Sequence, residues 1–365
     1  MFTNDKPYNG FNIILQSLKL ENSSNVACLY NELGKISNSE KNILSIFIDG
    51  CSINLSIVNK RRNLYKVKDI ESAAFGENDF TDNYIGYCLR NLGENLNDKF
   101  LKSPSLLYQL RKAIILWKRN FNIIPQTLTE IIIQNEENNN SQNSQISILL
   151  RKTDFENSCD EFFKKINLLI KNVLNKSGLT EIDIDDIIII GQTASSSKIK
   201  SILKEIFKNN QKLNKISSFS NSNDYLISIS CALQIMNKNE ILSSKYIFTD
   251  ISPYSLGIES INGLMDFVIQ KGQILPYKNK KLIKISNKNE NICINFFEGE
   301  QMLTKNNKFI ASAVIEKGNF KEIINKDYVE VYVQLEIDCD YNLKCYIFEP
   351  KSNDKYECLI NINVF

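Results

Sequence analysis

Histidine is absent from the 365 residues. Without an imidazole the chain has no Ser-His-Asp or Cys-His nucleophile system and no His-ligated metal site. Arginine is scarce, confined to Arg61, Arg62, Arg90, Arg111, Arg119 and Arg151. Lys+Arg 44 against Asp+Glu 42 leaves a net charge of +2, which gives no electrostatic case for nucleic-acid binding. The nine cysteines (Cys28, Cys51, Cys88, Cys159, Cys231, Cys293, Cys339, Cys345, Cys358) contain no C-x-x-C pair. An odd number, several of them inside apolar runs and with no signal peptide ahead, reads as reduced thiols in a cytoplasmic compartment. No apolar stretch approaches the roughly 18 residues of a membrane-spanning helix. The expectation is a soluble chain with neither a nucleic-acid nor a membrane partner.

What is present suffices for folding. With 43% hydrophobic residues the chain can bury a sizeable core, and its length favours two or three domains. The abundance of Lys, Asn and Ile reads as a bias of A/T-rich coding DNA. Ile43–Ile48 and Ile53–Val58 flank Asp49-Gly50-Cys51-Ser52 as a β-hairpin. Asp82 to Arg119 has helical spacing in Leu106, Leu107, Leu110, Ile114, Ile115 and Trp117. A second hairpin, Leu128–Gln134 against Ile146–Leu150, carries an Asn/Gln/Ser tip at Asn135–Gln145 that is expected to be mobile. Thr153-Asp-Phe-Glu156 has capping-box spacing and should open a long amphipathic helix ending near Gly178.

Ile182–Ile190 is too continuously apolar for a one-sided sheet and reads as a buried strand. Gly191-Gln192-Thr193-Ala194-Ser195 and a helix from Lys198 to Phe207 follow it. Strand, glycine turn and helix is a geometry that offers backbone N–H groups to an anion; the same turn also serves as a plain connection. From about Tyr246 short β-rich runs alternate with turns: Ser255–Glu259, Gly263–Gln270, Lys281–Ile285, Ile292–Phe297, Ala311–Ile315, Val329–Ile337, Leu343–Phe348 and Glu357–Val364. That rhythm argues for a β-sandwich.

Thr249-Asp-Ile-Ser-Pro-Tyr-Ser-Leu-Gly-Ile-Glu259 resembles the segment that opens the client-binding β-sandwich of the seventy-kilodalton heat-shock chaperone family. The resemblance continues through Asn262-Gly-Leu-Met265, Ile274-Leu-Pro276, Phe297-Glu-Gly-Glu-Gln-Met-Leu-Thr-Lys-Asn306 and Leu335-Glu-Ile-Asp338. Upstream, Asn42–Val58 resembles the family's second phosphate hairpin and Phe75–Asn83 its glycine-acidic turn. Leu110–Asn122 is similar to its adenosine-facing helix, Asp186–Leu203 to the elements that close over adenine, and Met1–Leu33 to the crossing segment between lobes. The implied fold class is α/β (lobe II of an actin-like ATPase fold, mixed sheet with helices) followed by an all-β sandwich. Residues 1–242 would form the partial nucleotide-binding domain, 243–250 a half-polar linker with poor coupling, and 251–365 the client domain. The first lobe and the helical lid are expected to be missing.

The resemblance implies ATP or ADP as cofactor, through Gly50, Ser52, Lys118, Arg119, Asn122, Gly191, Gln192, Thr193 and Ser195. Departures from the family pattern weaken that expectation. Phe47, Ile48, Asp49, Gly50, Cys51, Ser52, Ile53 and Asn54 stand where the family reads Asp-Leu-Gly-Gly-Gly-Thr-Phe-Asp. The metal-directed aspartate is thus Phe47, two of three glycines are lost, and Asp49 brings a like charge. Ile115 replaces a ribose-binding acid and Ser195 an adenine-stacking arginine. Weak nucleotide binding, no magnesium ion, no catalytic residue and no hydrolysis are expected. Lys118 and Arg119 read equally well as a solvated helix face.

Ile258, Ser260, Ile261, Ile283, Ile292 and Ile294 align with the lining of the family's peptide pocket. They are expected to bind extended apolar segments of unfolded proteins; any alternating strand would also place such isoleucines in its core. The expectation is therefore a chaperone relative that is a pseudo-ATPase, with unfolded polypeptide, and a co-chaperone or a chain supplying the missing lobe, as partners. A non-enzymatic scaffold, or a fragment from an incomplete gene model, are the alternatives.

Overall fold

The computed structural model describes residues 40–133, 144–213, 215–219, 232, 247–286, 291–316, 328–339, 341–348 and 355–358. Met1–Leu33 lies outside them, as do most of the Asn135–Gln145 tip and the end of Glu357–Val364. The chain divides into two compact units, one of 23–256 with 270–275 and another holding 257–269 and the residues from 276 on.

The first unit is built on a six-stranded sheet. β1 (Lys41–Ile48), β2 (Ile53–Arg61) and β3 (Leu64–Ala73) form an antiparallel meander. β6 (Asp186–Ile190) pairs parallel with β1, and β7 (Lys215–Phe219) parallel with β6. At the far edge β8 (Ile247–Thr249) pairs parallel with β3, giving the order β7-β6-β1-β2-β3-β8. Residues read as a linker thus include an edge strand, and Phe248 stacks on Tyr65 at 5.1 Å between ring centroids.

Period-two alternation buries both faces of this sheet. Leu44, Ile46, Ile48, Ile53, Leu55 and Ile57 join the larger core beneath the helices, while Ile43, Val58, Tyr65, Val67, Ile188 and Ile190 form a smaller core on the opposite side. All five residues of β6 are buried, as the continuous isoleucine run requires.

The expected helical stretch is divided into α1 (Glu77–Arg90), α2 (Glu94–Lys102) and α3 (Pro104–Lys118). Gly93 at φ 82° ends the first connection, and Pro104 opens α3 behind the Ser103 cap, whose Oγ accepts from Leu106 N. β4 (Gln126–Ile133) and β5 (Ser144–Arg151) form the expected second hairpin.

The capping-box expectation is corrected. Helix α4 (Lys152–Ser158) starts before Thr153, with Arg151 as N-cap and no side-chain cap bond. The chain turns at Cys159 before α5 (Asp160–Ser177), which ends at Gly178 in the left-handed region. Phe155 of α4 lies against the rings of Phe80, Tyr84, Trp117 and Phe121. Helix α6 (Ser197–Ile206) follows β6.

The second unit is all strand apart from short 3-10 turns among the described residues. β9 (Leu256–Glu259), β10 (Met265–Ile269), β12 (Asn291–Glu298) and β13 (Lys308–Glu316) make one four-stranded sheet, ordered β10-β9-β12-β13. β11 (Tyr277–Ser286), β14 (Tyr328–Ile337), β15 (Leu343–Phe348) and β16 (Lys355–Cys358) make the other, ordered β11-β14-β15-β16. Among the described residues no helix is long and apolar enough to cross a membrane.

Burial pushes the Cys159 thiol up to about 11 and the Cys88 thiol up to about 12, from 9.0. A raised native pKa stabilises below the unfolded value and loses that contribution as pH climbs through the native one. The thermal midpoint is therefore expected to fall above pH 9, and a Cys88→Ala, Cys159→Ala variant to show a shallower fall. An identical pH profile in the variant would contradict this.

Candidate functional site

The hairpin turn expected to face phosphate is held by the start of α1. Asp49 N donates to Ser52 O at 2.9 Å, and the next amide, Gly50 N, donates to Asp49 Oδ1 at 2.7 Å. Glu77 N and Asn78 N donate to Asp49 O and Gly50 O at 2.7 and 2.9 Å. This close approach requires glycine at 76, where a Cβ would sit 2.2 Å from Asp49 O and 2.7 Å from Ser52 N. Gly76→Ala is expected to reduce stability by about 2–3 kcal/mol through overpacking against backbone, read as a lower denaturant midpoint. An unchanged midpoint would show that the turn is not locked.

Glu77 then sends its carboxylate towards α3 and the turn after β6. Lys118 Nζ lies 2.7 Å from Glu77 Oε2, Thr193 N donates to Oε1 at 2.6 Å, and Thr193 Oγ1 donates to Oε2 at 2.7 Å. The Lys118 side chain is fully buried and that of Glu77 is 13% exposed. Lys118 also donates to Thr81 Oγ1 at 3.3 Å and stands 5.4 Å from the Phe155 ring centroid. Its position is thus neither a solvated helix face nor an open contact for a ligand. Gly191, at φ 147°, lets the turn pass over Ile48; a Cβ there would lie 2.8 Å from Ile48 Cβ and 3.0 Å from Glu77 Oε1.

A second carboxylate closes the start of α6. Ser196 Oγ and Ser197 Oγ donate to Glu156 Oε1 at 2.6 and 2.7 Å, and Lys198 N donates to the same atom at 3.2 Å. Ser196 is the local N-cap, its Oγ accepting from Lys198 N at 3.1 Å, and Glu156 adds a second acceptor from α4.

The structure brings Lys118, Gly191 and Thr193 together, but not all the residues expected with them. Arg119 is exposed at the end of α3. Asn122 is exposed and its Oδ1 accepts from Lys152 Nζ at 2.7 Å. Ser52 Oγ accepts from Asn54 Nδ2 at 3.2 Å. Gln192 is half-buried, and the side chain of Ser195 lies outside the described residues. Sequence reasoning placed neither Glu77 nor Glu156 at this site: Glu77 fell unsingled within the Phe75–Asn83 turn, and Glu156 was read as part of a local cap. The signal available was an acid directly after an invading glycine, Gly76-Glu77, which reads equally as an ordinary helix-start acid.

In the second unit Ile258, Ile283 and Ile294 are 0–1% exposed. Ser260 and Ile261 are half-buried, and the side chain of Ile292 lies outside the described residues. Exposed apolar side chains occur at two neighbouring turns: Leu264 at 43%, Met302 at 73% and Leu303 at 38%. Leu264 and Leu303 are bridged, and Met265 N donates to Met302 O at 2.8 Å. Asn307 braces the second turn, its Oδ1 accepting from Gln301 N at 2.9 Å and its Nδ2 donating to Gln301 O at 2.6 Å.

The family model for Hsp70 protein matches residues 15–347. The chain belongs to the Hsp70 family. A "Heat shock protein 70 homolog" of Acanthamoeba polyphaga mimivirus is 25% identical over 350 residues, 93% of this chain and 36% of that protein. The "Heat shock 70 kDa protein" of Penicillium citrinum is 21% identical over 298 residues, 81% of this chain and 58% of the relative. That of Neurospora crassa is 21% identical, again over 81% of this chain and 45% of the relative. The chain thus spans between about a third and three fifths of the length of these curated relatives.

Hsp70 proteins in general bind ATP or ADP with magnesium. The donors that this Hsp70 chain offers at Gly50, Lys118 and Thr193 are each bonded to a carboxylate of the chain itself. As they stand, these residues do not fit a phosphate.

Proposed function

We propose that this Hsp70-family chain is a chaperone-type protein that holds extended apolar polypeptide segments and does so without ATP turnover. What carries the reading is the braced pair of turns in the all-β unit. An exposed leucine pair and a methionine held in an ordered loop are apolar surface kept on the outside at a fixed place. Family membership over most of the chain supports the same reading. In it, the two four-stranded sheets form the client-binding sandwich, Ile258, Ile283 and Ile294 form an apolar floor, and Ser260 and Ile261 lie at its rim. Main-chain hydrogen bonds to an extended peptide would add affinity with little sequence preference.

Fluorescence anisotropy with a labelled Leu-rich heptapeptide tests this directly. Saturable binding is expected, weakened about tenfold or more by Leu303→Asp, since a charge is desolvated where an apolar contact stood. No saturable binding to the intact chain would refute the proposal. Phosphate release from ATP is expected to stay at the level of a protein-free control.

A further inference from the structure

We infer that Glu77 is a resident ligand: its carboxylate fills an oxyanion site formed by Lys118 and the Gly191–Thr193 turn, and so excludes phosphate-bearing ligands. The inference concerns the α/β unit and stands whether or not the all-β unit binds peptide.

The donor set is that of an anion site. One carboxylate receives a buried ammonium, a backbone amide and a hydroxyl, at 2.6–2.7 Å. These donors come from α3 and from the turn after β6, elements that have no need of one another's polar groups to complete their own backbone bonding. Thr193 is fully buried, like Lys118. Remove the carboxylate and the ammonium, amide and hydroxyl remain, aimed at one small volume beside Gly191, with a positive charge that burial makes costly to leave alone. The arrangement takes an oxyanion of carboxylate or phosphate size.

The neighbouring donors follow the same pattern. Gly50 N, in the turn between β1 and β2, is bonded to Asp49, and the amide and hydroxyls that open α6 are bonded to Glu156. Asp49 and Glu77 occupy donors of the two loops that the sequence nominates for phosphate, and Glu156 occupies those that follow directly at the start of α6. A single buried ion pair is a common structural device. Acid after acid on these particular donors is the pattern of a site filled from within.

Glu77→Ala in the full chain tests the inference, with thermal unfolding followed in chloride, acetate and inorganic phosphate at equal ionic strength. Acetate and phosphate are expected to raise the midpoint of the variant saturably, by about 3–5 °C at ten times Kd. Chloride is expected to do nothing, and the wild type to respond to none of them. Adding Lys118→Met to Glu77→Ala should abolish the response. An ADP arm separates the sources: stabilisation by ADP as well as phosphate extends the ligand class to nucleotides, and by phosphate alone restricts it to the free oxyanion.

A folded Glu77→Ala variant indifferent to acetate and phosphate would overturn the inference, leaving only a structural ion pair. So would saturable stabilisation of the wild type by phosphate. Should the variant fail to fold in chloride, recovery of folded protein on refolding in acetate or phosphate supports the inference, and failure in all three anions overturns it.

Discussion

Lys118→Met is expected to lower the stability of the α/β unit by about 3–5 kcal/mol, the usual penalty for removing one partner of a buried ion pair. The lysine is fully buried beside Glu77 and Thr81, and the aromatic ring of Phe155 lies below it. Methionine matches its volume but leaves the Glu77 carboxylate with only the Thr193 donors. The thermal midpoint should drop by roughly 10 °C at the entropy of unfolding typical of a domain this size. The double variant Glu77→Gln, Lys118→Met removes both charges and is expected to recover more than half of the loss. A loss below about 1 kcal/mol in the single variant, or no recovery in the double, would show that the pair is not coupled in the folded chain.

Phe155→Ala should be nearly as damaging. The side chain is completely buried and is the meeting point of four other rings, at centroid distances from 5.5 to 6.4 Å. Three of those contacts are edge-on or nearly so, the favoured arrangement for aromatic quadrupoles. Truncation leaves a cavity that rings fixed on α1, on α3 and in the turn after α3 cannot collapse to fill, and a loss of about 3–5 kcal/mol is expected. Phe155→Leu should lose markedly less, because part of the volume is retained. Equal losses in the two variants, measured from urea midpoints at a common slope, would contradict the packing argument.

The parts of this fold that were legible in sequence are those set by local pattern. The β1–β2 hairpin, the isoleucine strand β6 with its glycine turn, and the strand series from β9 to β15 all announce themselves through alternation and punctuation. The divisions of the helical stretch at Gly93 and Pro104 follow from backbone chemistry, although spacing alone ran them together. β3 was missed because Lys66 and Lys68 interrupt its apolar residues, and β8 because three residues carry no period. Its partner, Leu64 opposite Ile247, lies far away in the sequence.

The site was harder for the same reason. Thr153–Glu156 has the right spacing for a capping box, yet Glu156 spends its carboxylate on Ser196 and Ser197 instead. Lys118 was legible as a basic residue on a helix, but its partner Glu77 comes from far upstream, and Thr193, which bonds the same carboxylate, from far downstream. No local pattern states that an acid will turn inward. In the all-β unit Ile258, Ile283 and Ile294, named from resemblance, are residues that alternation also buries, whereas Leu264, Met302 and Leu303 stand exposed through turn geometry.

The proposed function rests on one separation: apolar surface kept available for polypeptide, and anion donors closed by the chain's own acids. It is tested most directly by loading the intact protein with the labelled Leu-rich heptapeptide and then adding MgATP. The anisotropy of the bound peptide is predicted to stay unchanged at every nucleotide concentration. A saturable, ATP-dependent release of the peptide would contradict it.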